Sequence, residues 1–185
     1  RKIYQSVDAV VIATPAPTHF EYIKQAFQAN KHILVEKPMV LSLKAAKKIK
    51  KLINNKVFMV GHQYCYNDAV QEFINKPLRE ISLEHSMSRG KKKDLYWDVA
   101  PHLFSVVELL NFFGETKLTI YPSKEKVRIW KFDGTLLKEP STEPLRNQIK
   151  HFVDCIKNTK LPITNIDHAI GVIKNIEKHE KKYIL

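Results

Sequence analysis

The chain has 185 residues, 44% of them apolar and 10% aromatic, which suits one large or two small cores and excludes an intrinsically disordered protein. No run of about eighteen apolar residues occurs, so no membrane-spanning helix is expected, and no signal peptide is visible, although the chain opens on Arg1 rather than an initiator methionine. The +12 charge invites a nucleic-acid reading, yet the lysines are spread between Lys44 and Lys51, Lys91 and Lys93, and Lys178 and Lys182. That spacing points first to a solvated basic face, next to a field for an anionic substrate or cofactor, and last to nucleic acid.

In chain order, Asp8 to Ala13 is a short β-branched run of the kind buried in parallel sheets. Thr18-His19-Phe20-Glu21 has the form of a capping box, opening a helix that ends near Asn30. Ile33 to Val35 is the next strand. Ser42 then caps a helix with Leu43, Ala46, Ile49 and Ile53 on one face, and Val57 to Val60 is a third strand ended by Gly61. Residues 1–63 thus have the β-α-β-α-β order of the later half of a doubly wound Rossmann-type parallel sheet. Residues 64–185 change character to an α+β unit with an open, mostly antiparallel sheet. Asn67 to Ile74 is a short helix and Arg79 to Ser88 alternates like an antiparallel strand, while Lys91 to Asp94 looks like loop. Ala100 to Phe113 is an apolar helix stopped by Gly114. Strands at Lys117 to Tyr121 and Val127 to Phe132 follow, with Asp133-Gly134 as a hairpin turn. Helices over Leu145 to Lys157 and Asp167 to Lys182, separated by Pro162, close the chain and pack back toward the first unit.

Lys37 is the residue most in need of an explanation. It stands at the carboxyl end of a buried strand, where open α/β sheets place their ligand crevice, and Pro38 restricts the backbone around it. A cation held there can hydrogen-bond a substrate hydroxyl, with Glu36 orienting it or meeting a ribose. Thr14, Pro15 and His19 form the neighbouring lip, and Gly61-His62-Gln63 closes a third strand end on the same crevice. Asp98 and His102 are four apart at the predicted entry of the apolar helix. Such an aspartate steadies an imidazolium for general acid/base work, or else Asp98 is only a cap and His102 an interior ring. Tyr64, Tyr66 and Asn67 follow where the two units meet, a place where ligands gather. Cys65 and Cys155 have no metal-type spacing and suit reduced thiols in a cytoplasmic protein.

Taken in order, V-D-A-V-V-I-A-T-P-x-x-x-H, H-I-L-V-E-K-P, M-V-G-H and W-D-V-A-P-H resemble the Gfo/Idh/MocA family of NAD(P)-dependent oxidoreductases. The closing segment from Glu143 to Asn165 looks like that family's as well. The resemblance covers most of residues 7–178 and leans toward sugar and nucleotide-sugar dehydrogenases. It implies Lys37, Asp98 and His102 as catalytic residues, His102 taking a hydroxyl proton while hydride passes to NAD or NADP. It also implies Thr14, Pro15, His19, Glu36, Lys37 and Gln63 along the cofactor, Tyr64, Tyr66, Asn67 and Trp97 toward the sugar, no metal, and a homodimer or homotetramer built on the open sheet.

This sequence departs from the family pattern in three places. The family's G-x-G-x-x-G turn is not found, since none of the five glycines precedes Gly61, so residues 1–185 alone are not expected to hold a dinucleotide pyrophosphate normally. Cys65 stands where relatives often carry an arginine for an anionic substrate. The stretch between His102 and Glu143 is short. Two explanations follow: parts of a longer chain run together, with joins near Gly90-Lys91 and Thr116-Lys117, or a shortened non-catalytic member serving as a binding or dimerisation module.

Overall fold

The computed structural model describes residues 2–87, 92–112, 114–122 and 127–184. Stiff β-branched and aromatic side chains recur in β1 (Ala9–Ile12), β2 (His32–Glu36) and β3 (Phe58–Gly61), and they favour a pleated surface covered on both faces. The three strands pair in parallel in the order β1-β2-β3, with Ile12 beside Val35 and Glu36 beside Gly61. Their carboxyl ends form one row, and Thr14, Lys37 and His62 lie just beyond it. On one face, Ile33, Val35, Phe58 and Val60 meet Ile23 and Phe27 of α1 (His19–Gln28) and Ile49 of α2 (Leu43–Lys50). On the other, Leu34, Val57 and Met59 meet Phe152 and Cys155 of α5 (Pro144–Asn158). The strict alternation along each strand sets these two contacts.

The local signals were met unevenly. Ser42 caps α2 as predicted, its Oγ accepting from the Ala45 N–H at 3.2 Å. The capping box at Thr18 does not form. A single 3₁₀ turn at Ala16–Thr18 precedes α1, and the Thr18 hydroxyl turns back to Pro15 O at 2.7 Å and Thr14 Oγ1 at 2.8 Å, so it is lost to the amides ahead of it. Asn67 caps a helix shorter than predicted, α3 (Asp68–Gln71), with Oδ1 accepting from the Ala69 N–H at 2.9 Å.

The second sheet has the order β5-β4-β6-β7 and is mixed. β4 (Glu80–Met87) runs parallel to β5 (Glu115–Pro122) but antiparallel to β6 (Arg128–Phe132), which pairs antiparallel with β7 (Thr135–Leu136). The alternation of residues 79–88 was correctly placed in a strand, but period two reports which face is buried and not which way the neighbour runs. Asp133 and Gly134 make the expected hairpin with φ of 48° and 77°, and the Asp133 carboxylate accepts from the Arg79 and Glu80 N–H groups at 2.8 Å each. Thr116 and Lys117 lie within strand β5, and Gly90 and Lys91 lie outside the described residues.

The largest correction concerns α4 (Lys92–Leu109), which starts well before the predicted Ala100 and turns Lys92 to Asp94, read as loop, into helix. Pro101 sits inside it. A proline in a helix interior costs about 3 kcal/mol, but burial of Tyr96, Trp97 and Val99 in the same stretch returns about 1.5–3 kcal/mol apiece, so packing wins. The helix stops at Leu109; Phe113 is outside the described residues. α6 (Ile166–Ile184) lies along α4 and α2, and the Tyr96 hydroxyl donates to Ile176 O at 2.9 Å. A single core cluster runs from Ile33 and Val60 of the first sheet through Leu103 and Ile176 to Leu83 and Phe132 of the second.

Candidate active site

Lys37 leaves β2 and turns toward α4. Its side chain is only 14% exposed, and the ammonium donates to Asp98 O at 2.9 Å while pairing closely with Asp98 Oδ1. The Lys37–Pro38 peptide is cis. Beside it, the Glu36 carboxylate lies over Gly61: a Cβ there would come within 3.1 Å of Glu36 Oε1, so any larger residue would displace the Glu36 carboxylate by a few tenths of an ångström. Glu36 Oε2 also accepts weakly from the Lys37 N–H at 3.3 Å. His19 is buried, its ring nitrogens 3.0 Å from Pro38 O and 2.7 Å from Thr14 O. It therefore ties the ends of β1 and β2 together. Its polar atoms are occupied by backbone, which is why it offers a cofactor nothing directly.

His102 projects from the third turn of α4 against the Tyr64 ring, 4.8 Å between centroids, and stacks on His85 at 6.5 Å. Its Nδ1 is buried with no hydrogen-bond partner. Burial first, then the charges of Lys37, His85 and Arg128, hold it well below the ordinary histidine range, so the ring is neutral near pH 7. The expected Asp98–His102 dyad is thus corrected. Asp98, a half-exposed residue with its side chain 56% accessible, is the partner of Lys37, and α4 begins too early for it to act as a cap. A neutral ring is the state a proton acceptor needs. His62, which the sequence marked only as a strand end, is buried with an unpartnered Nδ1. Burial, then His168, His102 and Lys37, push it well down. His168 stands 5.4 Å from it and is lowered to about 4 by burial, against a bond to Ser105 O at 3.0 Å. Among the described residues no three His, Cys, Asp or Glu side chains converge as a metal site.

The remaining sequence candidates separate clearly. Thr14 and Pro15 are exposed at the end of β1, Gln63 is half-buried in the 3₁₀ turn Gln63–Tyr66, and Tyr64 packs on His102. The other three are engaged elsewhere. The Tyr66 hydroxyl bonds Thr164 Oγ1 at 2.8 Å within the cluster on the opposite face of the first sheet, and burial drives its pKa up. The Asn67 carbonyl is the cap of α3. The Trp97 indole N–H donates to Glu180 Oε1 at 2.9 Å, facing α6. These corrections share one cause: a polar tip near a unit junction was read as pointing to ligand, and each was needed by buried backbone or a helix neighbour. A cavity of about 610 Å³ lined by Tyr4, Gln25 and Lys31 lies near the amino ends of the strands and holds none of this chemistry.

Residues 2–64 match the Gfo/Idh/MocA family model, an oxidoreductase family with an NAD-binding Rossmann fold. Mouse (Mus musculus) biliverdin reductase A is 29% identical over 120 residues, 62% of this chain and 41% of that protein. The solved UDP-N-acetylglucosamine 3-dehydrogenase GnnA of Acidithiobacillus ferrooxidans superposes with a TM-score of 0.84 at 17% identity, over 99% of this chain and 80% of that one. Myo-inositol dehydrogenase of Lactobacillus casei, solved with NAD(H) and myo-inositol, gives 0.81 at 12% identity over 98% and 78%. The chain spans less than half the length of the curated relatives it matches. The class that the fold defines is a Rossmann-type α/β unit joined to a second unit with an open mixed sheet. Residues 2–64 are thus similar to the Gfo/Idh/MocA Rossmann segment that the motifs implied, and the likeness in fold extends over nearly the whole chain. The residues present fit the nicotinamide side of an NAD(P) cofactor: three strand ends, a poised lysine and the Glu36–Gly61 crossing face one crevice. A glycine turn for the pyrophosphate is not among residues 1–60.

Proposed function

We propose that the protein is an NAD(P)-dependent dehydrogenase acting on a secondary hydroxyl of a sugar or nucleotide-sugar, with Lys37 and His102 as its acid/base groups. The observation that carries this reading is the pairing of a lysine, aimed by Asp98 at the carboxyl end of a parallel strand, with a half-buried neutral histidine on the helix that faces it. Thr14, Pro15, Glu36, Lys37 and Gln63 would line the nicotinamide, which supplies a hydride acceptor or donor when bound. His102 takes the proton of the substrate hydroxyl. Lys37 donates a hydrogen bond to the same oxygen and stabilises the charge that develops on it. Asp98 keeps the ammonium pointed, and His19 holds the two strand ends that frame it. In this reading residues 1–63 serve the cofactor and 64–185 the substrate, and the open second sheet pairs with another copy to give a dimer or tetramer.

Calorimetric titration of the full-length protein with NAD(H) and NADP(H), followed by turnover assays on sugars and nucleotide-sugars, tests this. Micromolar binding with alcohol-dependent nicotinamide reduction is expected. Failure to bind either nucleotide overturns the reading in favour of a non-catalytic module. Binding together with reduction of biliverdin but of no sugar-derived substrate overturns the substrate class.

A further inference from the structure

The +12 charge is diffuse, but one cation is built into the site wall. Strand alternation puts Arg128, Trp130 and Phe132 on the same face of β6, and Trp130 and Phe132 are buried. Arg128 therefore points inward at the start of the strand, beside His85 of β4 in register. Its Nη1 donates to the Tyr64 hydroxyl at 2.9 Å, and its guanidinium lies over the Tyr64 ring at 5.1 Å. Tyr64 in turn packs on His102 at 4.8 Å, so one side chain separates the guanidinium from the proposed base. A small pocket of about 30 Å³ opens there, lined by Tyr64, Asn67, Arg128, Trp130 and Glu139 among others.

Packing does not need this charge. A guanidinium presents a planar fork of five N–H donors suited to a two-oxygen acceptor. Among the described residues the carboxylate near it is Glu139 at 3.7 Å, a contact too long for a hydrogen bond and from a side chain 87% exposed. Cys65, the neighbouring loop position, cannot serve instead: it is fully buried, its thiol donating to Ser105 O at 3.4 Å.

Building on the dehydrogenase reading, we infer that Arg128 is a specificity-determining residue that binds an anionic oxygen group of the substrate, a carboxylate or a phosphate, while Lys37 and His102 hold the reacting hydroxyl. Tyr64 braces the fork by accepting one N–H and stacking beneath it. The preferred substrate is thus an acidic or phosphorylated sugar rather than a neutral one. Trp130 and Leu137 line the sides of the pocket, and the exposed Lys138 and Glu139 stand at its rim.

Calorimetry on the full-length protein with glucose, glucuronate and glucose 6-phosphate, without cofactor, tests this apart from catalysis. At least one acid is expected to bind about tenfold or more tighter than glucose, the usual scale of a charged hydrogen-bonded contact. Arg128→Gln should bring that acid to the level of glucose. Lys131→Gln removes one charge from the exposed face of the same strand and should leave the preference intact. The acid that loses more in Arg128→Gln identifies the group, carboxylate or phosphate. Equal losses in the two variants would mean a diffuse field, and a wild type without preference would mean no anion site; either overturns the assignment. Acid binding that depends on Arg128 with no nucleotide binding would retain this site and discard the dehydrogenase reading.

Discussion

Replacing Lys37 by methionine keeps the stem of the side chain and removes its charge. Two effects follow from the geometry, and they differ in size. The fold should barely respond, because the partner carboxylate of Asp98 is 56% exposed and regains water, so the lost pair is worth about 0–1 kcal/mol. Turnover should fall about a hundredfold or more, ~2.7 kcal/mol on the barrier, because the oxygen loses its charged donor. The pH profile supplies a third reading. Lys37 is the second cause, after burial, that holds His102 below the ordinary range of 6.5. Without the ammonium the imidazole gains a proton more readily, so the acid limb of kcat/KM should move to higher pH. Stopped assays from pH 5 to 9 on wild type and variant, beside urea melts, measure all three. Unchanged turnover, or an acid limb that stays in place while turnover falls, would refute the assigned roles.

Three further outcomes are expected. His62 and His168 are buried and His102 half-buried, all with lowered pKa values, so between the unfolded value of 6.5 and the folded values the unfolded chain binds more protons. Their contribution is therefore whole above pH 6.5 and is lost as pH falls toward about 4, where His168 alone costs roughly 3 kcal/mol; equal urea midpoints at pH 7 and 5 would contradict this. Asn67→Ala should destabilise by about 1 kcal/mol through loss of the α3 cap; an unchanged urea midpoint would refute the cap. Gly134→Ala should cost about 1 kcal/mol in urea melts because φ is 77° at a position with open space around it; a stabilised hairpin would refute the strain argument.

Much of the fold was legible because its signals are local. Apolar runs such as Ala9 to Ile12 and Phe58 to Gly61, the Ser42 cap, and the Asp133-Gly134 turn each act within a few residues. α4 was misjudged because Pro101 is a strong local stop, while the burial that overrides it comes from α6, some seventy residues away in sequence. The capping box failed for a related reason: a hydroxyl with two possible partners chooses by the path of the preceding Pro15 turn.

The sequence by itself determined the order of strands and helices, the row of strand ends bearing Thr14, Lys37 and His62, and the motifs that carry the family resemblance, since these depend on periodicity and near neighbours. Only the tertiary structure decided the partnerships. Asp98 belongs to Lys37 rather than to His102, which lies four residues along the same helix; Tyr66 and Trp97 serve the packing; Arg128 reaches Tyr64 from another sheet. The R-I-W-K-F alternation already placed Arg128 on the face of Trp130 and Phe132. What stood opposite that face was set by how the second sheet meets α4 and the turn at Tyr64. Contacts between residues dozens of positions apart are fixed by burying the whole core at once, and no local pattern encodes them.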